Sequence, residues 1–279
     1  MNLTNKTVIK DLLKKHHTGP EKYLGQHFIL SKKSLAKMIT AAEIKKNDTI
    51  IEIGPGLGTL TQELAKTGAK IIAIEKDLKM ISILKETQAD YQNIKIIQAD
   101  ARKLSILRID SLKRYKIVAN LPYNAATFLI RQWLESKNPP ELMILIIQKE
   151  VAQRITAKSP YSNLLAISVQ FYADVKIINY VKKESFWPKP KVNAAIIKIV
   201  PKKMTILRAI ANRQSFFKVV KAGFSQPRKQ LAGNLLKRLK LPRERLMEIF
   251  RNSNILSTAR AENLSLDEWQ KLAYKLIHK

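Results

Sequence analysis

The chain has 279 residues and carries 51 Lys+Arg against 22 Asp+Glu, a formal net charge of +29 that exceeds what solubility needs and points to a polyanionic partner. Its 46% hydrophobic content excludes global disorder, and the absence of cysteine excludes disulfides and thiolate metal sites, which fits a reducing cytoplasm. No apolar run reaches the roughly 18–20 residues of a membrane span, so a membrane-embedded protein is not expected.

Nucleic acid is the leading polyanion, because Lys and Arg displace the counterions of its phosphates; an anionic membrane surface is the competing candidate. At the start of the chain, Val8, Ile9, Leu12 and Leu13 fall at helical spacing among Lys6, Lys10, Lys14 and Lys15, with no signal-peptide core. Such a segment suits an organelle transit peptide or, in preference, a basic arm over residues 1–22 that lies on RNA. A helix is expected over 31–42, with Ser31 and Ser34 as caps and Leu35, Met38 and Ile39 on its apolar face.

A strand over 48–53 runs into Gly54-Pro55-Gly56-Leu57-Gly58, and a helix follows from about Thr59. Glycines there permit positive φ and let a ligand approach the backbone. The spacing is G-x-G-x-G with no following Lys-Ser/Thr, so neither a pyrophosphate site nor nucleotide hydrolysis is implied. The next strand, 70–74, ends in Glu75, placed as ribose-binding acids are in Rossmann-like sites. A third strand, 94–98, ends in Ala99-Asp100.

The fourth strand end carries Asn120-Leu121-Pro122-Tyr123-Asn124, after the apolar run 115–119. Proline stops the ladder; an amide acceptor, backbone carbonyls and a stacking ring suit a flat nitrogenous base. Alone, the stretch equally describes a strand-to-helix turn with a capping Asn. A fifth strand is expected over 141–148, helices over 149–157 and 164–171, and two strands over 174–181 and 194–200 that pair antiparallel. The connector 186–192, Phe-Trp-Pro-Lys-Pro-Lys-Val, is too proline-rich for regular structure. Seven strands, all parallel but one, with helices on both faces make an α/β body.

Beyond Pro201-Lys202-Lys203 the pattern is helical over 206–212, 215–222, 228–240, 243–251 and 266–277, the last opened by a capping box from Ser265 to Glu268. Residues 201–279 hold 18 Lys+Arg against 5 Asp+Glu, about twice the basic excess per residue of the remainder, as an RNA-gripping appendage would. Arg228, Lys229, Lys237 and Arg238 are the candidate phosphate contacts; a solvated helix face is the alternative. The glycine turn, Glu75 and Asp100 at three successive strand ends describe a nucleoside cofactor without a phosphate tail, and S-adenosylmethionine fits.

The chain resembles the bacterial small-subunit (16S) rRNA adenine N6,N6-dimethyltransferases from about Tyr23 to its end. The resemblance is carried by Gly25-Gln26-His27-Phe28, Glu52 through Gly58, Glu75-Lys76-Asp77, Gln98-Ala99-Asp100, Asn120 through Asn124, Gln148-Lys149-Glu150-Val151, Phe186 with Pro188, Pro190 and Val192, and Arg260-Ala261-Glu262-Asn263. It implies a seven-stranded Rossmann-like class I methyltransferase domain over 23–201, a small all-helical RNA-binding domain over 202–279, and S-adenosylmethionine as cofactor. It places cofactor contacts on His27, Ile29, Gly54, Gly56, Glu75, Asp100 and Asn120. The catalytic group it implies is Asn120, Leu121, Pro122 and Tyr123, with Phe186 closing over the opposite face of the base. His27 stands where the family usually has Asn, Ile29 where it has Leu, and Ala125-Ala126 where Ile-Ser is common. The implied partner is the small ribosomal subunit, bound by a cytoplasmic monomer with neither membrane nor metal. Two alternatives stand beside it: a large-subunit rRNA adenine methyltransferase of the macrolide-resistance type, and a non-catalytic rRNA-binding assembly factor.

Overall fold

Apolar residues fill consecutive positions at 117–119 and 142–147, and every one is buried, so the sheet they build is covered on both faces. The structure, a computed structural model, describes residues 1–21, 25–103, 112, 114–202 and 213–277. In chain order come α1 (Lys6–Lys15), β1 (Phe28–Ile29), α2 (Lys32–Ala42), β2 (Thr49–Ile53), α3 (Thr59–Ala65), β3 (Lys70–Glu75), α4 (Leu78–Thr87) and β4 (Ile94–Gln98). Next are β5 (Lys116–Asn120), α5 (Ala126–Glu135), β6 (Leu142–Gln148), α6 (Lys149–Thr156), α7 (Leu164–Gln170), β7 (Ala173–Val181), β8 (Phe186–Trp187) and β9 (Ala194–Pro201). Among the described residues, α8 (Arg213–Gly223), α9 (Leu231–Leu239), α10 (Arg243–Arg251) and α11 (Leu266–Ile277) follow.

The seven-stranded sheet has the order β4-β3-β2-β5-β6-β9-β7. Strands β2 to β6 pair in parallel, and β9 runs antiparallel to β6. Chain order reverses between β2 and β5, so a crevice opens at their carboxyl ends. Ser31 caps α2 through its hydroxyl, as expected, and Asp77 caps α4, a helix the sequence pattern did not reveal.

Two compact units divide the chain: Met1–Ala152 with Val175–Pro201, and Gln153–Asp174 with Lys202–Lys279. The division departs from a single cut at residue 201, which rested on the change in charge. Its physical basis is aromatic. Phe171 stacks on Phe216 with centroids 4.5 Å apart, and Tyr172 on Phe217 at 5.8 Å. In the same unit Ser162 N donates to the Glu262 carbonyl and Ser159 Oγ to the Asn263 carbonyl, while the Ser265–Glu268 capping box forms at the start of α11. The helix expected over 206–212 lies outside the described residues. The one expected over 228–240 begins at Leu231, leaving Arg228 and Lys229 in the preceding turn.

The first residues are not a free arm. Leu3, Ile9, Leu12 and Leu13 are buried against Phe28, Leu57, Met80 and Ile83, while Lys6, Lys10 and Lys14 face solvent. Lys15 and His16 pair with Glu86 of α4 at 2.7 and 2.8 Å. An amphipathic stripe needs a partner surface, and here it is the first unit's own core. The connector over 186–192 is also more regular than expected. Phe186 and Trp187, extended ahead of Pro188, pair antiparallel with Ile29 and Phe28 as β8 against β1. Truncating Leu12 to Ala leaves a cavity under α1 and should cost about 2–5 kcal/mol of unfolding free energy. Urea titration checks this; an unchanged midpoint would mean that α1 is undocked in solution.

Candidate active site

At the carboxyl ends of β2, β3, β4 and β5 lies a cavity of about 610 Å³, walled by the glycine turn, the Gly25–Ile29 stretch and the Asn120 turn. Ending β5 on Asn120 puts its amide at the mouth of the strand-order reversal. Asn120 Nδ2 donates to the His27 carbonyl at 2.9 Å. With its donor nitrogen held by backbone, the amide keeps Oδ1 as an oriented acceptor. Pro122 breaks the ladder and its carbonyl accepts Ala125 N at 3.0 Å, which closes the turn into α5. Leu121 is buried and its N–H donates to the Ile146 carbonyl at 3.2 Å.

His27 has a defined role here. Its Nδ1 lies 2.7 Å from the Pro188 carbonyl; a carbonyl only accepts, so Nδ1 carries a proton and donates it there. The ring centroid stands 5.6 Å from that of Tyr123. Through backbone and side chain, His27 ties the Asn120 turn to the proline connector. Burial pushes the Tyr123 hydroxyl up to about 12, so it remains a phenol at physiological pH.

Three carboxylates surround the glycine turn, each in a different state. Glu75 accepts Gly56 N at 3.1 Å, Lys76 N at 2.7 Å and Asp77 N at 2.9 Å, and burial raises its pKa. It therefore organises the turn as well as lining the cavity. Asp100 is gripped by the Arg102 guanidinium, with Nη2 at 2.6 Å, and Lys76 stands at 3.4 Å; the Arg102 hydrogen bonds hold it well below the usual carboxylate range. Glu52, 2% exposed, has no hydrogen-bond partner for Oε2 among the described residues. Burial, with the Glu75 charge adding to it, pushes Glu52 up to about 8.

The glycines divide their tasks. Gly58, at φ +88°, lies against α4: a β-carbon there would come 2.2 Å from Gln88 Nε2 and 2.8 Å from Leu84 Cδ1. Gly56 lies under the Phe28 ring, and Gly54, at φ +65°, would meet only Pro122, in ordinary contact at 3.9 Å. The backbone is thus open toward the cavity at Gly54, whereas a side chain at Gly56 would crowd the Phe28 ring and one at Gly58 would crowd α4.

Of the expected residues, His27, Ile29, Gly54, Gly56, Glu75, Asp100, Asn120, Leu121, Pro122 and Tyr123 come together around this cavity. Phe186 does not. It is 3% exposed and packs in the core with Ile29, Leu35 and Met38. Side chains alternate along a strand, so β8 turns Phe186 inward and Trp187 the other way, stacked on Phe28 at 6.3 Å. An open ring that does line the cavity is Phe128, 53% exposed, on α5. Sequence reasoning gave no role to Phe128 or Glu52; a carboxylate inside an otherwise apolar strand was the available signal for Glu52. Arg228, Lys229, Lys237 and Arg238 are all exposed on the second unit.

The cavity offers a buried carboxyl with one oxygen unpaired among the described residues, further carboxylates and an oriented amide oxygen, with no lysine in the glycine turn. That donor set fits a cationic nucleoside without phosphates, and with this sheet order it defines an S-adenosylmethionine-dependent methyltransferase. Residues 18–278 match the family described as ribosomal RNA adenine dimethylase. The chain belongs to that family and is an rRNA adenine dimethyltransferase. It is 40% identical to the ribosomal RNA small subunit methyltransferase A of Dehalococcoides mccartyi (strain CBDB1), covering 94% of this chain and 90% of that protein. The protein of the same name in Clostridium botulinum (strain Okra / Type B1) is 38% identical, covering 95% and 96%. Among solved structures, a dimethyladenosine transferase from Plasmodium falciparum matches with a TM-score of 0.74 at 27% identity, covering 88% of this chain and 95% of that one. The 23S rRNA methyltransferase ErmE shares the fold, with a TM-score of 0.70 at 21% identity over 90% and 99%.

The buried Glu52 carboxyl gives the cofactor-free protein a pH signature. Its folded value of about 8 exceeds the 4.5 of an unperturbed glutamate, so the unfolded chain ionises first as pH rises. Its contribution to stability is therefore complete at acid pH and is lost as pH rises from about 5 to 8. Thermal unfolding of Glu52→Gln should show a Tm advantage over wild type that grows across this window. A pH-independent difference would contradict the assignment.

Proposed function

We propose that the chain dimethylates the N6 amines of two adjacent adenosines in the 3'-terminal hairpin of small-subunit (16S) rRNA during ribosome assembly. The observation that carries the reading is the Asn120 amide at the end of β5, anchored through Nδ2 on the His27 carbonyl so that Oδ1 is left as the acceptor, with no hydrogen bond to it among the described residues. An adenine N6 amine is a weak nucleophile because its lone pair is delocalised into the ring. An acceptor aimed at its hydrogens favours a pyramidal nitrogen and stabilises the positive charge that develops on it. Asn120 Oδ1 and the Leu121 carbonyl take that part. Tyr123 stacks on the extruded base, and Phe128, rather than the core residue Phe186, is the ring available to its other side.

S-adenosylmethionine supplies an activated methyl group when bound in this cavity. Glu75 receives ribose hydroxyls, Gly54 lets the nucleoside approach the backbone, Gly56 positions Glu75, and Ile29 and His27 form the wall toward the proline connector. Glu52, ionised by a cationic ligand, supplies a counter-charge from below the turn. For Asp100 to accept from an adenine amine the Arg102 fork must leave it, and Arg102, more than half exposed, has room to do so. The methylated ammonium is acidic, so no general base is needed before transfer.

Small-subunit RNA is favoured over large-subunit RNA by the 38–40% identity to small-subunit methyltransferases, against a likeness to ErmE that extends to the fold alone. A complete cofactor cavity speaks against a non-catalytic assembly factor. Arg228, Lys229, Lys237 and Arg238 hold RNA phosphates, and the protein works as a monomer in the cytoplasm. Among the described residues no helix is long and apolar enough to cross a membrane.

Asn120→Ala should lower kcat by about 10²–10³-fold, as loss of a transition-state acceptor does, while affinity for RNA persists. Transfer of labelled methyl groups to under-methylated small subunits reads this out; a wild-type rate in the variant would refute the site. In calorimetry, Glu75→Ala should weaken cofactor binding at least tenfold, consistent with loss of a buried charged acceptor. An unaltered affinity would remove Glu75 from the site.

A further inference from the structure

On the same unit, and sharing no lining residue with the cofactor cavity, a groove of about 510 Å³ lies between α2 and the edge strand β7. Helix α2 contributes Lys33 and Lys37, one turn apart; β7 contributes Lys176 and β9 Lys198. A single carboxylate, Glu43, stands among them. Lys198 hydrogen-bonds it and, with the charges of Lys116 and Lys176, holds it below the usual carboxylate range. Lys37 donates to Asn179 Oδ1 at 2.6 Å, whereas Lys33 and Lys176 are exposed and make no ion pair among the described residues.

Lysine on an edge strand is a common guard against strand pairing, and that accounts for Lys176 alone. It leaves unexplained why two lysines of α2 and one of β9 turn into the same concavity with one counter-charge. Like charges gathered this way repel, and an anion relieves the repulsion. Farther along β7, Tyr180 is 50% exposed, with Lys149 Nζ 5.3 Å from its ring centroid. Lysines that hold phosphates and, on the same strand, a half-exposed ring on which a base can stack are the two components of a surface for a nucleic-acid strand. An anionic membrane would require exposed apolar side chains beside the lysines, and the groove's Ile178 is largely packed against the core.

We propose that the α2–β7 groove is an RNA contact that holds the phosphate backbone of the substrate rRNA outside the cofactor cavity. It rests on the rRNA-substrate reading above. The test uses full-length K33E/K176E, whose two changes are exposed, with unchanged Tm and cofactor affinity as controls on the fold. Affinity for under-methylated small subunits should fall about tenfold, and the slope of log affinity against log salt should become shallower by about 2, for two lost phosphate contacts. KM for subunits should rise while kcat at saturation holds, and K33R/K176R should match wild type. K33Q/K176Q, which removes charge without adding repulsion, should move the salt slope in the same direction. Equal affinity and salt slope in K33E/K176E and wild type would overturn the groove, even if methyl transfer proceeds normally. Wild-type protein that binds subunits but transfers no methyl group would instead overturn the functional reading, and the groove would then stand or fall on the variants' salt slopes.

Discussion

The hydrogen bond from Asn120 Nδ2 to the His27 carbonyl is the contact on which the rest of the site depends. It decides which end of the amide faces the cavity, and so whether the end of β5 presents a donor or an acceptor. Its partner belongs to a short stretch before α2 that would have no fixed position alone. That stretch is held by the β1–β8 pair, by the Nδ1–H of His27 on the Pro188 carbonyl, and by Leu30 N on the Ser185 carbonyl at 2.7 Å. Below it, Phe28 lies in the cluster that α1 completes. The docked N-terminal helix therefore supports the acceptor geometry from behind.

The carboxylates show how burial sorts groups that look alike in sequence. Glu75 is stabilised by three backbone N–H groups, Asp100 by exposed cations, and Glu52 by neither. Among the described residues, Glu52 Oε2 is a carboxylate oxygen left without a hydrogen-bond partner, free to gain one from a ligand. A cationic cofactor and a neutral, buried glutamic acid suit one another: the cation favours ionisation of Glu52, and the ionised group in turn favours the cation.

Much of this was legible in the residues. The parallel strands announce themselves as apolar runs, and their ends carry Gly54, Glu75, Asp100 and Asn120 because strand ends are where chemistry meets solvent. What stayed hidden depends on contacts distant in sequence. An amphipathic stripe at Ile9, Leu12 and Leu13 states that a partner surface exists but not that it is Met80 and Ile83. Phe186 looks like a stacking ring until its pairing with Ile29 turns it inward, and Phe128 is hidden in a helix whose start resembles a loop. The contact of residue 27 to Asn120 comes from its backbone carbonyl, which any residue supplies, so the side-chain type at this position does not announce it.

If this site places two methyl groups on small-subunit adenines, the mark in the cell's small-subunit RNA depends on this protein. Mass spectrometry of rRNA digests from cells lacking the gene tests it most directly. N6,N6-dimethyladenosine should disappear from small-subunit RNA while large-subunit RNA is unchanged. Persistence of the mark in small-subunit RNA, or its loss from large-subunit RNA instead, would contradict it.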